Sequence, residues 1–269
     1  MKIIKNKNKL IKLIDGQKKI GFVPTMGAIH FGHISLIKAA SRECNKTIVS
    51  IFINKPQFNK TKDFKSYPRY LKRDISILKK HKVNYLYIPK INEIYPRGRN
   101  RKIKISPFKK KLCGKFRPGH FEAVVDVVDR FIKIIKPQKI YFGEKDMQQL
   151  KIIEDFVIKN RINTKVIACK TERDKNGLAL SSRNFLLSKK QKIIASKIYK
   201  LMVNNKKYLI KKINNLNNIK KKIINLGVAK IDYIKLVDIN KITRPFKKKN
   251  KLRIFIAYYL GDTRLIDNI

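Results

Sequence analysis

The chain has 269 residues, enough for one large domain or a domain with a smaller companion, and carries a formal charge of +48. Its lysines are spread through almost every polar segment among asparagines and isoleucines, which describes solvated faces in general and argues against a specific nucleic-acid surface. Cys44, Cys113 and Cys169 are odd in number, widely spaced and with no CxxC, which suggests neither a disulfide framework nor a zinc knuckle, and without an apolar run near the roughly 18 residues of a membrane span or a signal-like N-terminus the expectation is a cytoplasmic protein with no membrane partner.

Residues 5–14 set Leu10, Ile11, Leu13 and Ile14 among lysines and predict a short surface helix that stops at Asp15-Gly16. The apolar run 20–24 predicts the first core strand. The run 47–53, nearly continuous in β-branched and apolar residues, predicts a second, covered on both faces of a parallel sheet. Between them Met26-Gly27-Ala28-Ile29-His30-Phe31-Gly32-His33 reads as a tight turn leading to a helix over 34–43. Gly27 and Gly32 let the backbone bend and approach a ligand, the unpaired N–H groups of the new helix favour an anion, and His30 and His33 stand three apart, so both imidazoles can aim at one place. No cysteine or carboxylate lies nearby to complete a zinc site, so the expected occupant is a nucleotide phosphate, not a metal.

Asn54 and Gln57 follow the second strand, where open parallel sheets hold ligands, and are expected to hydrogen-bond a small polar substrate; an ordinary amide-rich loop would carry the same letters. Tyr70, Leu71, Ile75 and Leu78 predict a helix over 63–82, followed by a strand over 83–88. Residues 90–120 read as a long irregular loop in which Arg117-Pro118-Gly119-His120 offers a cation. Val124, Val127, Val128, Phe131, Ile132 and Ile135 fall at helical spacing and read as core. A strand at 140–142 then enters Gly143-Glu144-Lys145-Asp146-Met147-Gln148-Gln149, a second polar strand-to-helix junction, where Lys145 can meet a phosphate and Gln149 can face the cleft of Gln57.

After a strand at 166–169, Leu180-Ser181-Ser182-Arg183 offers two hydroxyls and a guanidinium fork to a triphosphate, and Ser188 caps a further helix. Leu209, Ile213, Leu216, Ile219, Ile223 and Leu226 form an amphipathic stripe ended by Gly227, with strands at 231–237 and 252–259. The expected architecture is α/β: a Rossmann-like doubly wound parallel sheet over 1–176 and a smaller C-terminal α+β lid domain over 177–269.

Taken as an ordered set, Pro24-Thr25-Met26-Gly27 with the HxGH at 30–33, Asn54 with Gln57-Phe58, Tyr67-Pro68-Arg69, Arg117-Pro118-Gly119-His120-Phe121, Gly143-Glu144-Lys145-Asp146, Leu180-Ser181-Ser182-Arg183 and Leu265-Ile266-Asp267-Asn268 resemble the pantothenate synthetase (pantoate–β-alanine ligase) family over nearly the whole chain. HxGH alone would indicate only the adenylyl-transferring superfamily. The resemblance implies ATP-dependent condensation of (R)-pantoate with β-alanine through a pantoyl adenylate, in a homodimer, with magnesium arriving on ATP. It implies that residues 26–33 and 143–146 and Leu180, Ser181, Ser182 and Arg183 hold ATP, with Glu172 beside adenine or ribose. His33 matches the family's proton donor, His30 a phosphate partner, and Lys145 and Arg183 the groups that neutralise the transition state. Gln57 and Gln149 match the pantoate contacts, Gln57 being shared with β-alanine; Asn54 would assist, and Asp74 would anchor magnesium from a second shell. Three departures stand out: Phe31 at a usually polar position, Lys55 between Asn54 and Pro56, and a net charge of +48, far above that expected of the family. A different HxGH nucleotidylyltransferase, or an RNA-binding protein suggested by charge alone, are the rival readings.

Overall fold

The structure, a computed structural model, describes residues 1–211, 216–239 and 252–269. Six strands, β1 (Lys2–Ile4), β2 (Ile20–Thr25), β3 (Lys46–Ile51), β4 (Tyr85–Tyr87), β5 (Lys139–Gly143) and β6 (Lys165–Cys169), pair in parallel in the order β1-β4-β3-β2-β5-β6. β2 therefore lies between β3 and β5, at the point where the chain reverses its progress across the sheet. The crevice beyond the carboxyl ends of strands at such a reversal is where this architecture binds ligands.

Phe22 and Ile48 pack on one face with Val124, Val128 and Ile132, while Val23 and Val49 pack on the other with Ile37 and Leu78. That alternation is the period of two of a sheet covered on both sides. The covering helices are α1 (Lys7–Ile14), α2 (Phe31–Glu43), α3 (Thr61–Ser66), α4 (Leu71–Lys80), α5 (Ile91–Ile94), α6 (Cys113–Phe116), α7 (His120–Ile135) and α8 (Met147–Lys159). The single helix expected over 63–82 is two, because Pro68 removes an N–H and drives Tyr67 to extended backbone at φ −61°, ψ 128°. The loop expected over 90–120 contains α5 and α6, each a single turn.

The remainder forms α9 (Lys189–Lys211), α10 (Leu216–Asn225) and an antiparallel sheet β7 (Lys230–Asp238), β8 (Leu252–Leu260), β9 (Thr263–Asn268) in that order. Of the apolar stripe from Leu209 to Leu226, Ile213 lies outside the described residues, and the rest is divided between α9, α10 and the turn that follows. β8 joins the two parts: Ile254, Ile256 and Tyr258 share a core with Ala195, Ile198 and Ile223, whereas Phe255 and Ala257 belong to the core beneath the large sheet. Among the described residues no helix is long and apolar enough to cross a membrane.

Candidate active site

The turn after β2 is built by two successive left-handed residues, Gly27 at φ 80° and Ala28 at φ 50°. A Cβ on Gly27 would stand 3.0 Å from Asp74 Oδ2, so only glycine fits there without displacement. This backbone turns two consecutive N–H groups the same way, a concavity suited to an anion. Asp74 of α4 fills it: Ala28 N–H donates to Oδ2 at 2.7 Å and Ile29 N–H to Oδ1 at 2.8 Å. Arg73 Nη1 in turn donates to Ile29 O at 3.0 Å. Each oxygen of Asp74 thus accepts one N–H of the turn, so the carboxylate holds the turn in shape. Burial lifts its carboxyl above the usual range, against the pull of the two amides.

His30 caps α2, its Nδ1 accepting the Gly32 N–H at 3.1 Å, which leaves the ring proton on Nε2. Gly32 is required for that ring: a Cβ there would lie 2.8 Å from His30 Cε1. The His33 ring stacks beside it at 4.0 Å between centroids and 33° between planes. Burial, helped by His33 and Lys145, pushes His30 down to about 2. Burial also pushes His33 down to about 4, with Asp146 opposing. Both imidazoles are therefore neutral at pH 7, and His33 Nδ1 is buried with no hydrogen-bond partner among the described residues. An anionic ligand in the cleft would raise both pKa values.

Met26, His30, Gly32, His33, Asn54, Gln57, Gly143, Lys145, Asp146, Gln149, Glu172, Leu180, Ser181, Ser182 and Arg183 line one cleft of about 230 Å³ at the carboxyl ends of β2 and β5. Gly27, Ala28, Ile29, Phe31 and Glu144 do not reach its surface. The first three act through the backbone of the turn, Phe31 is 73% exposed, and Glu144 pairs with Arg253 of β8 at 2.7 Å. Lys145 Nζ lies 3.5 Å from Asp146 Oδ1. Arg183 rests its fork on Asp63 of α3 at 2.9–3.2 Å, and the Ser182 hydroxyl donates to Ala28 O at 3.2 Å, tying the 180–183 segment to the turn.

Asn54 is buried and spends its side chain on the protein: Nδ2 donates to Ala123 O at 3.0 Å and Gln57 Oε1 at 3.2 Å, and Oδ1 accepts from the Tyr95 hydroxyl at 2.8 Å. It positions Gln57, where the sequence reading expected it to touch substrate. Gln57 O also accepts from His120 Nδ1 at 2.8 Å and Arg117 Nη2 at 3.1 Å. Arg117 and His120 thereby fix the glutamine's backbone; burial, helped by Arg117, holds His120 well below its ordinary pKa, and the neutral ring with its proton on Nδ1 leaves Nε2 to accept from Arg117 Nη1 at 3.2 Å. Sequence reasoning missed the opposite wall: Val124, Val127, Val128, Phe131 and Phe142 line the cleft as well as the core. The helical spacing of the three valines and Phe131 signals burial, as does the apolar run around Phe142, and neither separates a wall from a core.

A parallel sheet reversing at a strand that ends in paired neutral imidazoles, with an ammonium and a guanidinium across the cleft, defines a nucleotide-using α/β enzyme of the HxGH type. The family model described as pantoate-beta-alanine ligase matches residues 2–269. A pantothenate synthetase of Thermosipho melanesiensis is 40% identical over 277 residues, covering 100% of this chain and 99% of the relative. One of Francisella tularensis subsp. novicida is 43% identical over 265 residues, covering 97% and 92%. The crystal structure of pantoate-beta-alanine ligase from Francisella tularensis complexed with beta-gamma ATP and beta-alanine superposes with a TM-score of 0.85 at 40% identity, over 100% of this chain and 97% of that one. Pantothenate synthetase from Thermus thermophilus superposes with 0.89 at 31% identity, over 100% and 99%. The chain belongs to the pantoate–β-alanine ligase family.

Proposed function

We propose that this enzyme condenses (R)-pantoate with β-alanine at the expense of ATP, giving pantothenate, AMP and pyrophosphate. What carries the reading is the composition of the one cleft: cationic and N–H donors on the side of β2 and β5, neutral amides at Gln57 and Gln149, and a valine-rich wall. A hydroxy acid with two geminal methyl groups is matched by the amides and the wall together.

The carboxylate of pantoate is a poor acceptor for an amine, having no good leaving group. One of its oxygens attacks the α-phosphorus of ATP, the bond to pyrophosphate breaks, and pantoyl adenylate forms. The nitrogen of β-alanine then attacks the acyl carbon, the C–O bond to AMP breaks, and the nitrogen loses a proton. In the first step His30 Nε2–H and His33 donate to phosphate oxygens while Lys145 and Arg183 neutralise the charge growing on them, the kind of prearranged electrostatics that lowers such barriers most. The turn at 26–33, the junction at 143–146, the backbone near Glu172 and the 180–183 segment hold the nucleotide. Gln57 and Gln149 hold the hydroxyls and carboxylate of pantoate.

Magnesium enters as the ATP complex; among the described residues no group of three His, Cys, Asp or Glu could hold it alone. The same reading takes residues 177–269 as a lid domain on a Rossmann-like domain of 1–176, and the enzyme as a cytoplasmic homodimer, with its three unpaired cysteines in keeping with a reducing compartment. Sedimentation velocity tests the dimer. The function itself is tested by product analysis: pantoate, β-alanine and MgATP together should yield AMP and pantothenate one for one, and ADP as the nucleotide product would overturn it.

A further inference from the structure

The last strand reaches back to the lysine. Asn268, 3% exposed at the end of β9, donates both hydrogens of its amide to two consecutive carbonyls, Glu144 O at 2.8 Å and Lys145 O at 2.9 Å. Its Oδ1 accepts from Arg253 Nη1 of β8 at 2.7 Å, and the other arm of that guanidinium, Nη2, donates to Glu144 Oε2 at 2.7 Å. The short 3-10 turn Glu144–Asp146 is thus gripped by its backbone and by a carboxylate, from two adjacent strands of the small sheet. The neighbouring residue does the same for the second nucleotide-facing segment. Asp267 takes a bidentate pair from Arg173 at 2.6 and 2.8 Å, and Arg173 also donates to Gly177 O at 3.1 Å, at the foot of the segment leading to Ser181–Arg183.

We propose that Asn268, braced by Arg253, is a positioning residue that fixes Lys145 against the phosphates, so that the small sheet sets the geometry of adenylation as well as covering the cleft. An amide is the side chain required. Two carbonyls need two donors and the guanidinium needs an acceptor, which Asn supplies together and Asp, Leu or Ser do not. A lysine ammonium acts as a point charge whose effect depends on where it is held, and displacement by about 1 Å of a group at a reacting centre can cost on the order of a hundredfold in rate. The inference rests on the proposed function, since it assigns Lys145 to the phosphates.

The test separates the two half-reactions. Pantoate-dependent exchange of labelled pyrophosphate into ATP reports adenylation, and aminolysis of preformed pantoyl adenylate by β-alanine reports the second step. Asn268→Ala should slow exchange by about ten- to a hundredfold, leave aminolysis and the KM for β-alanine within about twofold of wild type, and retain a cooperative melt. Arg253→Gln, which keeps one arm of the bracing, should slow exchange less and carries the same split should Asn268→Ala fail to fold. Normal exchange in a folded variant, or equal losses in both steps, would overturn the proposal. Absence of exchange in the wild-type enzyme would instead overturn the function on which it rests.

Discussion

Gly32 lies under the imidazole of His30 so closely that a single added carbon would sit 2.8 Å from Cε1 and 2.9 Å from Nδ1. The Gly32 N–H also donates to that Nδ1. One residue thus supplies both the space and the hydrogen bond that fix the ring, and it does so without needing a left-handed backbone.

Gly32→Ala should therefore keep the helix and lose the ring's position. Overpacking of this kind costs about 1–3 kcal/mol. The expected result is a melting temperature lowered by a few degrees with kcat/KM for ATP reduced more than tenfold, read from steady-state kinetics beside a thermal melt.

Asp74→Ala should loosen the turn. It leaves the Ala28 and Ile29 N–H groups without their buried acceptor, at a cost of about 1–3 kcal/mol each. Denaturant unfolding should show a loss of that order, with a weaker ATP affinity. Asp74→Asn, retaining one acceptor oxygen, should recover part of both. The dependence of the rate on free magnesium should be unchanged in either variant if the carboxylate serves the turn alone; a shifted magnesium optimum would show it acting as the second-shell anchor the resemblance implies.

Acidification should destabilise the unliganded enzyme. His30, His33 and His120 all have folded pKa values below the ordinary 6.5, so the unfolded chain binds more protons as the pH falls through that value. Their contribution is fully present above pH 6.5 and is lost progressively toward the folded pKa of about 4 for His33. Melts from pH 7.5 down to 5 should fall, and the fall should be shallower for His33→Asn.

The apolar wall should set discrimination for the geminal methyl groups. Val128→Ala should raise the KM for pantoate about tenfold, as expected for a lost contact of one or two carbons, and should narrow the preference for pantoate over its analogue without the methyl groups. The KM for β-alanine should change little.

Most of this site was legible in the sequence because its chemistry sits at strand ends, where short polar motifs interrupt apolar runs. The turn at 26–33 and the junction at 143–149 are of this kind, and the structure brings His30, His33, Lys145 and Gln149 to one cleft. What could not be read was the division of labour among neighbours. Asn54 and Asp74 carry the polar atoms of ligand-binding residues, yet both spend them on backbone, on Gln57 or on Tyr95, and only their partners reveal it. Val124 and Val128 are core by periodicity and wall by position. β9 was missed because Thr263-Arg264-Leu265-Ile266-Asp267-Asn268 lacks a clean alternation, its polar residues being turned inward to grip Arg173 and the Lys145 turn.

The central claim is that the carboxylate of pantoate attacks the α-phosphorus of ATP in this cleft. Pantoate labelled with oxygen-18 in its carboxylate, turned over with ATP and β-alanine, puts that claim to a direct measurement by mass spectrometry of the products. One labelled oxygen should appear in AMP for each pantothenate formed. Label in orthophosphate, accompanied by ADP, would mean attack at the γ-phosphorus and would contradict the account.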